Sequence, residues 1–230
     1  MNANPLRVLQ VSAEVYPLLK TGGLADVAGA LPQALHMAGC DPRLLLPGFA
    51  AILAGLADAR PVAELESPWG ERGTLLAGRL PAVGDLPAYV IDVPGRFGSA
   101  GDNPYTDASG QPHADSHLRF GWLGWAAARL AQGADASWQP QIVHGHDWHA
   151  GLAPVYLALA GPGHAEPVRS VFSIHNLAYQ GLFDAGTLAQ LGLPPTLFAR
   201  HGHTLSALFG LVLLAAAFGI DRRRRSPVGI

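Results

Sequence analysis

Apolar residues recur along this chain in short runs, separated by glycine, proline and polar stretches. RVLQVS at 7–12 is a run of strand length, and KTGG at 20–23 follows it as a loop. LADVAGALPQALHMAG at 24–39 carries Leu24, Val27, Leu31 and Leu35 at helical spacing, with Pro32 expected to bend the helix without ending it. DPRLLLPG at 41–48 then reads as a second strand, so that strand, loop, helix and strand make a βαβ unit. Further on, RGTLLAGRL at 72–80 and LPAYVIDVP at 86–94 are strand-like, and 98–112 is a loop by composition. A helix is expected from His113 to Leu130, with Leu118, Trp122 and Trp125 on one face. QIVHG at 141–145 is a strand, HDWHAG a loop, 152–160 a helix and VRSVFSIHN at 168–176 another strand. This alternation predicts an α/β domain with a Rossmann-like, doubly wound and mostly parallel sheet.

Residues 203–230 differ in kind. TLSALFGLVLLAAAFGI at 204–220 is apolar all round with no polar face, and DRRRR follows at 221–225. The change divides the chain into a domain over 1–202 and an atypical tail over 203–230. Two readings of the tail stand: the product of a frameshift or truncation, or a membrane-associated segment of minimal spanning length with arginines on one flank. On either, an exposed run this apolar favours aggregation or adsorption to membranes.

Composition narrows the function classes. Hydrophobic residues make up 49% of the 230 residues and charged residues 14%, enough for a sizeable core and unlike a disordered chain. A net charge of -2 gives no reason to expect nucleic-acid binding. One cysteine, Cys40, excludes a disulfide framework and is expected as a small buried filler at a helix end. Pro5, Arg7 and Gln10 interrupt any secretory signal, which makes the cytoplasm the default location.

Ligands of open parallel sheets bind beyond the carboxyl ends of the strands, and three polar clusters fall at such ends. Glu14 through Lys20, Thr21, Gly22 and Gly23 is either an anion-binding βα loop or an ordinary turn with a solvated lysine. His144, His146, Asp147 and His149 invite a metal site of a hydrolase, with His164 and His175 as further ligands. Alternatively, His144 is a satisfied core residue, and Asp147 and His149 face a polar ligand. His175 and Asn176, followed by Tyr179 and Gln180, suit hydrogen bonds to a hydroxyl-rich ligand or a helix cap.

Three blocks carry a resemblance: VLQVSAEVYPLLKTGGLADVAGALPQAL, VHGHDWHAGLAPVYL and SVFSIHNLAYQGLF, with GDNPYTD between the first two. In order and spacing they resemble bacterial glycogen synthases and plant starch synthases, from about Leu6 to Gly202. The resemblance implies the amino-terminal half of a GT-B glycosyltransferase. Such enzymes move glucose from ADP-glucose to the non-reducing end of an α-1,4-glucan with retention, using no metal or other cofactor. By motif, it implies Lys20, Gly22, Gly23, His175 and Asn176 at the donor, and Glu14, Tyr105 and Asp147 at the acceptor. The resemblance further implies Asp147 and His175 as catalytic, Asp147 bonding sugar hydroxyls near the reacting carbon and His175 holding the donor glucose, with Asn176 supporting the His175 loop. The groups of the family's second domain are not among these blocks, so this chain is expected to be inactive alone. The remaining alternatives are a glucan-binding module without transfer and the metal-dependent hydrolase.

Overall fold

The computed structural model describes residues 4–98, 103–107, 109–160, 167–184, 186–195 and 197. The expectations for the 203–230 tail and for His164 lie outside the described residues.

The first apolar run becomes strand β1 (Arg7–Val11), whose last four residues are buried. Helix α1 (Gly23–Met37) runs through Pro32 and leads to β2 (Asp41–Pro47). A short helix α2 (Ala50–Gly55), strand β3 (Ala57–Glu66), strand β4 (Arg72–Leu80) and strand β5 (Leu86–Asp92) follow. Helix α3 (Ser116–Ala131), strand β6 (Ile142–His146), helix α4 (Leu152–Leu159), strand β7 (Arg169–Ser173) and helix α5 (Gly186–Gln190) complete the order.

Among the described residues, seven strands form one sheet in the order β3-β4-β5-β2-β1-β6-β7. Strands β5, β2, β1, β6 and β7 run parallel, while β4 pairs antiparallel with β5 and β3 with β4. The α/β, doubly wound, mostly parallel architecture expected from the alternation is therefore present. Strand β3 and helix α2 had no counterpart in the sequence reading. Most of β3 is exposed or half-buried, so its residues ADARPVAELE lack the apolar run that marks the inner strands. The helix expected at His113 begins at Ser116, and the strand expected to reach Asn176 ends at Ser173. Cys40 is half-buried and lies past the end of α1, not fully buried as expected.

The core fills both faces of the inner strands. Leu9, Val11, Leu44, Leu45, Leu46, Val90, Ile91 and Val143 are inaccessible to solvent. Helix α3 lies over β1, β2 and β5 and packs on α4. At that crossing a Cβ on Gly124 would meet the Leu152 backbone at 2.8 Å, so only glycine permits the approach. Trp122, fully buried on α3, makes an edge contact with Trp69 at 5.6 Å between ring centres.

Trp122 also ties α3 to the β3–β4 connection, because its indole N–H donates to Glu71 at 2.8 Å. Arg96 bridges Glu71 to Asp115, bonding the latter at 2.9 Å, and Arg119 holds the other Asp115 oxygen at 2.8 Å. Burial alone would push the Glu71 carboxyl up. Hydrogen bonds from Arg96 and Trp122 outweigh it and hold the group at about 2. A carboxyl lowered on folding stabilises the native state above its unfolded value of 4.5, and that contribution is lost as pH falls from there toward 2. Replacing Glu71 with Gln should cost about 1 kcal/mol at neutral pH, allowing for solvent screening, and flatten the acid limb below about pH 4.5. Urea midpoints measured across that range check this, and an unchanged acid limb would remove Glu71 as its source.

Candidate functional site

The strand order reverses between β1 and β6. Chain segments leaving β1 travel toward β2, while those leaving β6 travel toward β7. In doubly wound sheets a crevice opens at this point, outside the carboxyl ends of the strands. Two of the three predicted polar clusters leave the sheet on either side of it, and the third follows β7.

The first begins where β1 ends. Ser12 turns the chain by donating its hydroxyl to the Glu14 carbonyl at 2.8 Å. Val15 and Leu19 then bond each other's backbones at 3.1 and 2.9 Å, folding 15–19 into a closed loop. Glu14, only 2% exposed, sits beneath that loop. Its carboxylate accepts the Thr21 N–H at 2.5 Å, the Thr21 hydroxyl at 2.7 Å and the Tyr105 hydroxyl. Burial, with the Glu14 charge second, pushes the Tyr105 hydroxyl well above its usual value, so it stays a donor. Glu14 is thus a buried anion whose partners pin the KTGG loop and the 103–107 segment together. Beyond it Lys20 is exposed and paired with Asp26 at 2.7 Å. Gly22 and Gly23 open α1, where no side chain caps the helix, and a Cβ on either would meet nothing within 4 Å. The protein's own packing does not require glycine there, and both glycines are exposed beside a lysine.

The second cluster closes from β6. His146 is completely buried, and Asp147 turns the chain with φ 55° into a 3-10 turn over Trp148–Ala150. Asp147 joins the ends of β6 and β7. Its N–H donates to the Ser173 carbonyl at 2.9 Å, and its Oδ1 accepts the His175 N–H at 2.7 Å. His149 points into the core, stacked on Tyr105 at 4.7 Å and edge-on to Phe120 at 4.8 Å. The predicted acceptor residues Glu14, Tyr105 and Asp147 therefore cluster through Tyr105 and the turn that carries Asp147 and His149. His175 and Asn176 sit exposed on the adjoining loop, where Asn176 Oδ1 accepts the Ala178 N–H at 2.9 Å. Gly181, at φ 59°, lets that loop return against the Trp148 ring, which a Cβ would meet at 2.3 Å.

The sequence reading missed the group beneath these loops. Gln10, buried near the end of β1, reaches His144 Nδ1 at 3.3 Å and His146 Nε2 at 2.5 Å. His144 Nε2 meets the Ser173 hydroxyl at 2.8 Å, and His146 Nδ1 meets His175 Nε2 at 2.9 Å. Every ring nitrogen of His144 and His146 thus has a protein partner. A metal ion there would have to break those bonds, and among the described residues no three His, Cys, Asp or Glu side chains converge as ligands. The signal in the sequence is a glutamine inside the apolar run RVLQVS. The depression lined by Glu71, Arg72, Val93 and Arg96, about 320 Å³, lies on the far side of β5, and Glu71 and Arg96 in it are already committed to the Arg96–Glu71 and Arg96–Asp115 pairs.

Burial lowers His146 and His149 each to about 3; for His146 the neighbouring His144 and His175 add to the effect. The unfolded chain takes up protons at about pH 6.5 where these two do not, so stability is full above that value and falls as pH drops toward 3. By about pH 5 the loss reaches about 2 kcal/mol at most for each histidine. His149→Phe keeps an aromatic ring between Tyr105 and Phe120 and removes one titrating group. The variant should lose less stability than the wild type between about pH 7.5 and 5, by about 1–2 kcal/mol in urea unfolding. Equal losses in both proteins would contradict a neutral, buried His149.

Three comparisons with known proteins give the chain's relatives. The profile of the starch synthase catalytic domain matches residues 7–218, past the boundary drawn at Gly202. Glycogen synthase of Variovorax paradoxus is 58% identical over 201 residues, which are 86% of this chain and 40% of that protein. Glycogen synthase of Leptothrix cholodnii is 54% identical over 202 residues, 86% of this chain and 41% of that protein. This chain therefore spans about two-fifths of the length of these relatives. The catalytic domain of Arabidopsis thaliana starch synthase IV, solved with ADP and acarbose, superposes with a TM-score of 0.73 at 25% identity. That match covers 90% of this chain and 43% of the plant one.

Proposed function

Because this chain belongs to the starch synthase catalytic-domain family, we propose that its crevice forms one wall of a cytoplasmic glucosyltransferase site taking ADP-glucose as donor and an α-1,4-glucan as acceptor. The observation that carries the reading is the bond from the His175 N–H to Asp147 Oδ1. It ties the loops that follow β6 and β7 to each other beside the reversal of strand order, where ligands of this fold bind.

Each residue has a role that its surroundings suit. Lys20 is held to Asp26 by an exposed pair, which contributes little and exchanges easily. Its ammonium is free to turn to a diphosphate, while the uncapped amides behind Gly22 and Gly23 supply further donors. Glu14 and Tyr105 shape the acceptor side by holding the KTGG loop in place. Asp147 and His175 offer a carboxylate oxygen and an imidazole nitrogen to hydroxyls of the sugar whose anomeric carbon reacts. Asn176 keeps the His175 loop in its turn. Fixed hydrogen-bonding groups of this kind act by position, lowering the barrier because they need no reorganisation when charge develops. Relatives extend well beyond these residues, so the 230-residue chain alone should bind donor weakly or not at all and transfer no detectable glucose to glycogen.

A chimera tests the reading: residues 7–202 of this chain replace their counterpart in the Variovorax enzyme. It should extend glycogen from labelled ADP-glucose. His175→Ala and Asp147→Asn in the chimera should each lower kcat/KM by about 100-fold or more. Near-normal kcat/KM in both variants would remove these residues from the transfer site.

A further inference from the structure

Beneath the exposed His175 lies a continuous chain of polar side chains that no step above requires. It runs from Ser173 through His144, Gln10 and His146 to His175, with contacts of 2.8, 3.3, 2.5 and 2.9 Å. Gln10 and His146 have no measurable exposure, so water cannot substitute for a lost partner. Each member must therefore match donor to acceptor, and the amide of Gln10, an acceptor at one end and a donor at the other, gives the chain a direction.

Counting protons from Gln10 outward fixes the rest. Its oxygen faces His146 Nε2, which must carry the hydrogen. His146 is neutral, burial having lowered it to about 3, so its Nδ1 is a bare lone pair. That lone pair meets His175 Nε2, which must then be the N–H donor. On the other branch the Gln10 amide hydrogen meets the His144 Nδ1 lone pair, and His144 donates from Nε2 to the Ser173 hydroxyl. An amide turned end for end would reverse every bond. In that direction His175 Nε2 must accept, and protonating His175 would break its link to His146. In the first direction the Nε2–H is present in both the neutral and the charged imidazole, so the link survives on an exposed ring. Loop 174–180 adds one constraint, the His175 N–H on Asp147, which fixes the backbone but not the ring proton.

We propose that Gln10 and His146 are positioning residues that hold the His175 proton on Nε2 and leave Nδ1 as an acceptor for a ligand hydroxyl. The ligand class, a sugar hydroxyl, rests on the function proposed above; the relay itself does not. A ring fixed in this way accepts a hydrogen bond from a hydroxyl without first changing tautomer. This is the same logic by which buried partners orient histidines in other sites.

Nitrogen-15 spectroscopy of the imidazoles in the full chain, at about pH 8 where exposed histidine is neutral, reads the proton directly. His175 and His146 should both carry hydrogen on Nε2, and a scalar coupling should connect His175 Nε2 to His146 Nδ1 across the hydrogen bond. Hydrogen on His146 Nδ1, a tautomer mixture at His175, or no coupling would each overturn the proposal. Gln10→Glu supplies the second arm. A carboxylate beside His146 Nε2 favours a charged His146 with hydrogen on both nitrogens, which should drive the His175 proton to Nδ1. A folded Gln10→Glu protein with His175 unchanged would also overturn it. Adding ADP-glucose to the chimera described above, in which the donor binds, separates the two readings. Coupling present with no shift of His175 counts for the relay and against the sugar site; a shift without coupling counts against the relay alone.

Discussion

A carboxamide buried in a central strand has to satisfy an oxygen and an NH₂ group with no help from water, and Gln10 does so only through β6. Its oxygen reaches His146 and its nitrogen His144, two residues apart on the neighbouring strand and so on the same face. Sliding β1 against β6 by one residue would turn those imidazoles to the other face and strand the amide. The register of the two strands that flank the crevice is therefore tied to one polar side chain. The positions of Ser173, His175 and Asp147 follow from it through bonds that cross to β7.

The loop side of the crevice rests on a comparable constraint of opposite sign. Glu14 is a charge taken almost out of water, tolerable because three donors surround it. Two of these belong to Thr21 and one to Tyr105, 91 residues further on. The same Tyr105 ring stacks on His149, which hangs from the turn after β6. One carboxylate thus joins the KTGG loop, the 103–107 segment and the Asp147 turn, leaving Lys20, Gly22, Gly23 and His175 exposed. The interior is held by fixed neutral histidines and a paired anion, while the groups that change partner lie at the rim.

The histidines and Glu71 lose stability on different parts of the acid limb for different reasons: burial disfavours charged histidines, whereas hydrogen bonds from Arg96 and Trp122 hold Glu71 ionised against the effect of its burial. The histidines resist gaining a proton and Glu71 resists receiving one, so the first weaken the fold below neutrality and the second only at lower pH. The Glu71 cluster binds the β3–β4 connection to α3 and stands apart from the crevice.

Much of the architecture is written locally. Inner parallel strands are buried on both faces, so RVLQVS, DPRLLLPG and QIVHG must be apolar runs, and their alternation with helical spacing determined the sheet class. The βα loops with their glycines, lysine, histidines and aspartate were legible as site material, because chemistry at strand ends is a property of this fold class. Strand β3 was not legible: a mostly exposed edge strand needs no apolar pattern. Nor was the direction of any side chain. Sequence placed three histidines and an aspartate within six residues, and that spacing alone allowed a metal site or a sugar-facing loop. The tertiary structure decided between inward and outward. His144 and His146 meet Gln10 from 134 and 136 residues away, His149 enters the core beneath Tyr105, and Asp147 turns to His175. Periodicity reports which residues are buried because burial is paid for residue by residue. Hydrogen-bond partners are chosen only when distant strands come into register, and no local pattern records that choice.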